Sequence, residues 1–234
     1  MHHKKYSGFH PHNYYYILMH AQFQMLIPCL IVLLAGCSVA PTPPLISTDN
    51  TIVLTPPVLE SAVSLEETLA NRRSIRGYTG EPLTLSELSQ LLWATQGITH
   101  PQEMRTAPSA GALYPLELYV ALPSGFYHYV PRSHILEKHK NGDMRLPLND
   151  NPAEQAVFVI AAVFQRTAQR YGDRAERYVH MEAGHAAQNL LLQAVAMDLG
   201  AFPIGAFHDR YVQEMLSLPG DHEPLYLIPV GRMR

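Results

Sequence analysis

Hydrophobic and polar positions follow two different periods along this chain. In residues 85–96 the apolar side chains recur at the three-and-four spacing of one helix face, and residues 84–87 form a capping box that marks the beginning of that helix. A second capping box at residues 64–67 predicts a short helix that ends near Arg72. The apolar face of the helix over residues 85–96 comprises Leu85, Leu88, Leu91 and Leu92.

Several shorter segments carry the pattern of β-strands. Residues 117–122 alternate and then become apolar, and residues 126–130 form an aromatic run after a Ser-Gly turn. Residues 157–164 are eight consecutive apolar residues, which is typical of a strand buried on both faces. Residues 202–207 and 225–230 are two further strand candidates.

The longest helical pattern covers residues 176–199 and is closed by Gly200, while Asp209 can cap a short helix further on. Helices and strands are interleaved without a regular βαβ alternation, so the pattern predicts one α+β domain with a mainly antiparallel sheet packed by helices. The long helix is apolar nearly all round, which indicates a partner subunit that covers it. Its apolar positions are Ala183, Ala186, Ala187, Leu190, Leu191, Leu192, Ala194 and Val195.

The N-terminal segment has the composition of a targeting sequence. Residues 25–35 are uncharged and apolar, about the length of a signal-peptide core but too short to span a membrane. Residues 34–37 resemble the lipobox of bacterial lipoproteins, in which the cysteine is lipidated, here Cys37. The alternative is an uncleaved anchor that extends back through residues 14–19.

The resulting organisation is a signal peptide over residues 1–36, a tether rich in Pro, Ser and Thr over 37–59, and a folded domain over 60–234. It predicts a protein exported and anchored by lipid to a bacterial cell membrane, on the periplasmic or another extracytoplasmic face.

Composition excludes several classes of protein. The 234 residues carry 17 Lys+Arg and 20 Asp+Glu, a net charge of −3, so nucleic acid is not expected as a partner. With 47% apolar residues the chain is not disordered. The two cysteines, Cys29 and Cys37, both precede the domain, and His180 and His185 lie on different helix faces, so no metal site is predicted.

No dinucleotide-binding glycine motif, P-loop or Gly-x-Ser-x-Gly element occurs in the chain. The densest cluster of functional side chains is Arg72, Arg73, Ser74 and Arg76, in which three guanidinium groups and a hydroxyl follow a predicted helix. Forked arginine donors match phosphate oxygens, although a solvated basic loop is the alternative.

Three weaker elements could complete a ligand site. Residues 106–115 are small and contain two prolines, a composition that lets a flat ligand approach backbone amides. Residues 201–207 are again small and apolar, and Arg232 ends the last predicted strand, where it can present one more cation.

Taken together, these segments resemble the nitroreductase family, and more closely its SagB-type dehydrogenase branch. The resemblance covers roughly residues 60–232 in order. It is carried by residues 72–78, 82–84, 87–97, 105–115, 126–129, 177–178, 182–190, 204–207 and 229–231.

The resemblance implies an FMN enzyme with an α+β fold, built as a homodimer with the flavin at the subunit interface. Arg72, Arg73, Ser74 and Arg76 would hold the phosphate and ribityl chain, with Arg232 adding to the phosphate site. Ile204 and Gly205 would place a backbone amide near the reactive flavin nitrogen. The residues implied to approach the isoalloxazine ring are Pro108, Ser109, Ala110 and Gly111.

Because the flavin would carry the hydride chemistry, no protein nucleophile is required. Tyr178, Glu182 and His185 are candidates for proton transfer or substrate positioning, and the last two are three residues apart on one helix and can pair. The alternative is that each makes a structural hydrogen bond.

One departure from the branch concerns its azoline-oxidising members, which carry a Lys-Tyr pair where this chain has Arg170 and Tyr171. Arginine cannot act as a base, so a freestanding oxidoreductase acting on a small organic molecule is favoured. The alternatives are a flavin-binding or structural lipoprotein without turnover, and an azoline-type dehydrogenase that acts with a separate partner protein.

Overall fold

A computed structural model of the chain describes residues 47–48, 50–148 and 153–234. The predicted signal peptide and Cys37 lie outside the described residues. No helix within the described ranges is both long enough and apolar enough to cross a membrane.

One eight-stranded sheet organises the domain, and every neighbouring pair of its strands is antiparallel. Its strands are β1 (Ser47–Thr48), β2 (Thr51–Val53), β3 (Leu116–Leu122), β4 (Gly125–Val130), β5 (Ile135–Lys140), β6 (Ala156–Ala162), β7 (Leu199–Ala201) and β8 (Glu223–Arg232). Their order is β1-β2-β5-β4-β3-β6-β8-β7. The predicted α+β class with a mainly antiparallel sheet is confirmed.

Six α-helices pack around this sheet in the described part of the chain. They are α1 (Leu65–Asn71), α2 (Leu85–Gln96), α3 (Arg145–Leu148), α4 (Phe164–Tyr171), α5 (Ala175–Ala196) and α6 (Asp209–Leu216). Both capping residues act as predicted: the Ser64 side chain accepts a hydrogen bond from the Glu67 N–H, and Thr84 and Glu87 form a reciprocal capping box. The starts of α1 and α2 are therefore determined by local hydrogen bonds.

The two faces of the sheet bury different side chains. On β3, Leu116, Leu118 and Val120 join the core beneath α2 and α5, whereas Tyr119 and Ala121 face the opposite layer, which includes α6. All seven residues of β6 are buried, which confirms that the central apolar run is a strand covered on both faces. The prediction extended this strand too far, because Phe164 begins α4.

The end of the long helix differs from its prediction. α5 ends at Ala196, Asp198 adopts a left-handed backbone conformation (φ 55°), and β7 follows at once. Gly200, expected as the helix cap, instead pairs with Gly231 of β8. Pairing at the sheet edge satisfies backbone groups that a longer helix would leave without partners. The strand expected at 202–207 is replaced by this earlier, shorter one.

The burial of α5 corrects the argument that the helix needs a partner subunit to cover it. Nine of its residues are buried in a stripe that recurs every three or four positions. Leu191, on this stripe, is only 6% exposed in the single chain. Exposed polar residues such as His180 and His185 lie outside this stripe. A dimer therefore stays a prediction that other surfaces must support.

The segment expected to be a tether is attached to the domain over part of its length. β2 pairs with β5, and the backbone N–H groups of Thr55 and Val58 donate to the side chains of Ser89 and Gln90 on α2. Because of this strand pairing and these contacts, the folded unit begins before residue 60, the boundary that the composition indicates.

Candidate functional site

The arginine-rich segment 72–76 leaves α1 and runs beside β7. The N–H of Ile75 donates to the carbonyl of Ala201 at 3.2 Å, and Ser74 bridges the same residue. Tyr78, fully buried, anchors the segment by donating from its hydroxyl to the carbonyls of Ile75 (2.9 Å) and Pro229 (3.3 Å). The segment is thus part of the sheet edge rather than a free loop.

Tyr78 fits because Gly231 lies under its ring, where a Cβ would stand only 2.9 Å from the ring carbon Cδ1. Replacing Tyr78 with phenylalanine should lower the free energy of unfolding by about 1 kcal/mol, since two carbonyls lose their donor. Urea unfolding measures this, with Tyr211→Phe on the exposed face of α6 as the control. Equal unfolding midpoints for the two variants would show that the hydroxyl does not anchor the segment.

The three guanidinium groups of this segment have different surroundings. Arg73 donates to the carbonyls of Ala70 (3.0 Å) and Arg72 (2.8 Å) at the end of α1. Arg76 lies over the ring of Phe202, with its Cζ 4.6 Å from the ring centre. Arg72 is half-buried, and no carboxylate in the described part of the chain lies within ion-pair distance of it. Arg72 is therefore the cation best placed to bind an external anion.

Phe202 connects the arginine segment to the predicted amide at Ile204 and Gly205. The Ile204 N–H donates to the carbonyl of Leu227 at 2.8 Å, and Ile204 accepts in return. The Ile204 N–H is therefore used within the fold, so of this pair of residues only Gly205 can offer its N–H to a ligand. Gly205 is exposed, and its N–H makes no hydrogen bond with any described residue, so its role towards a ligand stays a prediction.

Arg232 lies in a different charge cluster from the one expected. Its Nη2 donates to both carboxylate oxygens of Glu87, at 2.9 and 3.0 Å, and its Nε is 3.7 Å from Glu81. Glu87 is the residue that caps α2. The guanidinium is thus paired with a carboxylate at the beginning of α2, and the role of Arg232 at a phosphate site stays a prediction.

The small-residue loop at Pro108, Ser109, Ala110 and Gly111 makes a single 3-10 turn, Ala110–Ala112, before β3. The backbone is left-handed at Gly111 (φ 64°), Ala112 (φ 54°) and Tyr114 (φ 47°). Such conformations in non-glycine residues cost energy and concentrate at functional sites. The conformation of this loop is therefore imposed by its contacts.

The hydroxyl of Ser109 supplies one of those contacts. Its Oγ accepts a hydrogen bond from the Tyr114 N–H at 2.9 Å, and its hydroxyl donates to the Glu182 carboxylate of α5. Both hydrogen-bonding functions are directed into the protein. Ser109 therefore offers its backbone, rather than its hydroxyl, to a ligand on the outer side of the loop.

Behind the loop lies a buried polar cluster of Glu182, Arg105 and Gln96. Glu182 is 3% exposed, and its Oε1 has no partner among the described residues; the same is true of the Gln96 Nε2. Arg105 donates from Nη1 to Gln96 Oε1 at 2.7 Å and lies over the ring of Tyr114. The cluster joins the end of α2 and the middle of α5 to the loop.

The protonation of this cluster follows from its burial. Burial raises the pKa of Glu182 to about 7, although the hydrogen bond from Ser109 and the charge of Arg105 oppose the rise. Burial likewise lowers the pKa of Arg105, against the raising effect of Glu117 and Glu182. A carboxyl with a pKa near neutrality can both give and take a proton, which is what general acid–base chemistry requires.

The other proton-transfer candidates lie apart from Glu182. His185 is exposed on the outer side of α5 and makes no described contact with Glu182, so the predicted pair does not form. Tyr178 is half-buried, and its ring packs edge-on against Tyr171 at 5.1 Å. The structure thus brings Tyr178 towards the end of α4 and separates it from His185.

A second charged cluster, not predicted from the sequence, supports the loop from the sheet. Arg166 of α4 donates to the Tyr114 carbonyl at 3.1 Å and to Glu117, which also binds His128 at 2.7 Å. Burial alone would raise the pKa of Glu117, but the hydrogen bonds from His128 and Arg166 lower it to about 2. The sequence did contain a signal for both clusters. Glu117 is a charged residue in an otherwise apolar strand, and Arg105 is a charged residue beside the small-residue loop.

The chain is similar to known proteins of one family. The sequence model of the nitroreductase family matches residues 69–232. A Methanocaldococcus jannaschii protein that carries the name nitroreductase is 42% identical over 183 residues, which is 73% of this chain and 91% of that protein.

Solved structures give the same result. A Ralstonia eutropha crystal structure, also named as a nitroreductase, has a TM-score of 0.74 and 32% identity, and covers 79% of this chain and 90% of that one. The fold is also similar to that of the NADPH:FMN oxidoreductase from Vibrio harveyi, with a TM-score of 0.54, 22% identity and coverage of 72% and 68%.

Proposed function

This chain belongs to the nitroreductase family, and on that premise we propose that it is an FMN-dependent oxidoreductase of the SagB type. In this proposal, hydride passes between a reduced donor and a small organic acceptor through FMN held by the protein. The observation that carries it is the arginine segment pinned beside β7, in which Arg72 has no carboxylate partner among the described residues.

The residues present fit a phosphate-bearing, planar cofactor. Arg72, Ser74 and Arg76 offer the donors that a phosphate requires, and Arg73 holds the end of α1 from which they extend. Gly111 lacks a side chain and is exposed, as a surface that contacts a flat ring requires. The exposed N–H of Gly205 is the remaining donor for the ring.

When bound, FMN supplies two-electron hydride chemistry. The chain's own groups bind and orient it, and Glu182 holds a proton at a carboxyl oxygen behind the loop. Tyr178 packs against Tyr171, whose hydroxyl lies beside Gly111 of that loop. These two residues are the proton-transfer and positioning groups that we retain, whereas His185 is too far from the cluster.

The cofactor is tested first. Purified protein is reconstituted with FMN or FAD, and the released flavin is identified and counted per chain. We expect FMN in a one-to-one ratio; FAD alone, or no flavin, would contradict the proposal. The bound flavin is then reduced photochemically without oxygen and mixed with a quinone or a nitroarene. Reoxidation indicates turnover, whereas a flavin that stays reduced favours a flavin-binding protein without turnover.

We also propose that the working unit is a homodimer with FMN at the interface. The support is α1, which directly precedes Arg72 and leaves Leu65 and Leu69 61% and 54% exposed. Apolar side chains of this size that are exposed side by side are typical of interfaces. If both subunits contact the flavin, FMN must tighten the dimer by mass action.

Leu69→Glu should therefore weaken the dimer and FMN binding together, while Tyr211→Glu on α6 should change neither. Sedimentation of the apo and FMN-bound forms over a dilution series measures both. Leu191 is unsuitable for this test because it belongs to the core. A wild-type monomer that retains one FMN per chain would reject the interface.

Finally, we propose that the protein is exported and anchored to a bacterial membrane through a lipid on Cys37. The support is the sequence pattern at residues 25–37. Cys37→Ser should leave the unprocessed precursor and abolish labelling by a fatty-acid analogue. Cys29→Ser, eight residues earlier, should have neither effect. Equal labelling of the wild type and the Cys37 variant would contradict lipidation.

A further inference from the structure

Two side chains at the end of α4 lie directly against Gly111. A Cβ at Gly111 would stand 2.8 Å from the Tyr171 hydroxyl oxygen and 2.9 Å from the Arg170 Nη1. Only a residue without a side chain lets the guanidinium and the phenol come this close to the loop. The loop that we assign to the flavin therefore has one cation and one phenol as neighbours at Gly111.

The charge of Arg170 is not compensated within the described residues, in contrast to that of Arg166 one helical turn earlier. Arg166 is neutralised by Glu117, while Arg170 makes no ion pair in any described range and has its Cζ 5.5 Å from the ring centre of Tyr171. Arg170 is exposed, so its charge is available to a molecule that arrives from solvent.

The surrounding charges reinforce this cation. Arg174 and Arg177 follow within two turns, and the part of the chain that the structure describes provides no ion pair for either of them. The acids nearby are Glu176, in the first turn of α5, where the helix dipole favours negative charge, and Asp173, in the 3-10 turn just before that helix. The local charge is positive in a chain whose net charge is negative.

Aromatic surface accompanies the charge. Tyr171 and Tyr178 pack edge-on at 5.1 Å and are both half-buried, so each leaves part of its ring open. No hydrogen bond from either phenol to another described residue is present. A cation beside two tyrosine rings matches a planar molecule that carries an acidic group.

We infer that the molecule oxidised or reduced at this site is a planar organic anion, whose carboxylate or sulfonate is bound by Arg170 and Tyr171 above Gly111. This inference rests on the proposed function, because it takes the 108–111 loop as the flavin contact. Arginine cannot accept a proton, so charge recognition is the chemistry that it can supply here. Its forked donors match the two oxygens of a carboxylate.

The anion could belong to the electron donor or to the acceptor, so binding is measured separately from turnover. Oxidised, FMN-loaded protein is titrated by calorimetry with benzoate and with benzamide, which has the same shape and no charge. We expect benzoate to bind about tenfold more tightly, the effect of one exposed charge-assisted contact. Arg170→Gln should remove the preference, and Arg170→Lys should retain part of it.

Two controls separate this contact from general effects. Arg210→Gln removes an exposed arginine from α6 and should leave the benzoate preference unchanged. Gly111→Ala should reduce the preference, because the added methyl group displaces Arg170 and Tyr171. Reoxidation of the reduced flavin by 4-nitrobenzoate and 4-nitrobenzamide, and reduction by NADPH and NADH, show which partner carries the anion.

The outcomes are distinct. A protein that retains FMN and turns over but binds benzoate and benzamide equally, or keeps the preference in Arg170→Gln, overturns this inference alone. A protein that binds no FMN removes the proposed function as well. Loss of the preference in the Arg170 variant, with FMN retained, supports the inference.

Discussion

Replacing Arg72 with alanine is expected to weaken FMN binding about ten- to a hundredfold. A charge-assisted hydrogen bond to phosphate contributes roughly 1.5–3 kcal/mol, and Arg72 is the half-buried cation of its segment with no ion pair to any described residue. Because no internal partner has to be broken, the full charge is available to the phosphate. Titration of apo-protein with FMN, followed by flavin fluorescence, measures the change.

The neighbouring arginines sharpen this prediction. Arg76→Ala should also weaken binding, whereas Arg73→Ala should mainly destabilise the end of α1, whose carbonyls Arg73 binds. Arg210→Ala on α6 is the matched control for loss of a surface charge. Unchanged FMN affinity in both the Arg72 and Arg76 variants would show that the segment is a solvated basic turn.

Replacing Glu182 with glutamine is expected to stabilise the protein by up to about 3 kcal/mol above pH 7. The folded pKa of Glu182 is raised by burial from 4.5 to about 7, and one pKa unit corresponds to about 1.4 kcal/mol. Below pH 4.5 the carboxyl is neutral in both the folded and the unfolded state. Between pH 4.5 and 7 the unfolded chain is already ionised while the folded carboxyl still holds its proton, so the wild type loses stability over this range that the glutamine variant keeps. Above pH 7 the difference stays constant.

The measurement is the free energy of unfolding by urea at several pH values between 4 and 8. The two proteins should differ least at pH 4 and most at pH 8. Glu176→Gln, an exposed carboxylate on the same helix, should leave the pH dependence of the wild type unchanged. A constant difference between the Glu182 variant and the wild type across this range would show that Glu182 does not titrate there.

Together, these two variants examine the two halves of the proposed site. Arg72 belongs to the segment that the sheet edge holds beside β7, and Glu182 belongs to the polar cluster that fixes the 108–111 loop. A loop with left-handed residues at Ala112 and Tyr114 keeps its shape only while the contacts behind it persist. Changes in flavin binding in the Glu182 variant would therefore report on the loop rather than on the phosphate.

The sequence by itself determined the features that depend on neighbours within a few residues. The N-cap hydrogen bond at Ser64 and the capping box at Thr84 are local, and the apolar periodicity of α2 lies on one helix face, so the sequence pattern predicts all three closely. The buried strand β6 and the cluster of cations after α1 were also predicted, because an uninterrupted apolar run and a group of neighbouring arginines are visible in the sequence itself. The interleaving of helix and strand patterns extended this to the α+β class, and the resemblance implied the same fold.

Only the tertiary structure decided which polar groups remain available. Arg232 pairs with Glu87, 145 residues away, and the Ile204 N–H pairs with Leu227, and neither partner is visible in the local sequence. Glu182 binds towards Ser109 instead of His185, because the buried stripe of α5 turns it inward. Such partners are determined when distant segments pack against one sheet, and the burial that shifts a pKa arises from the same packing.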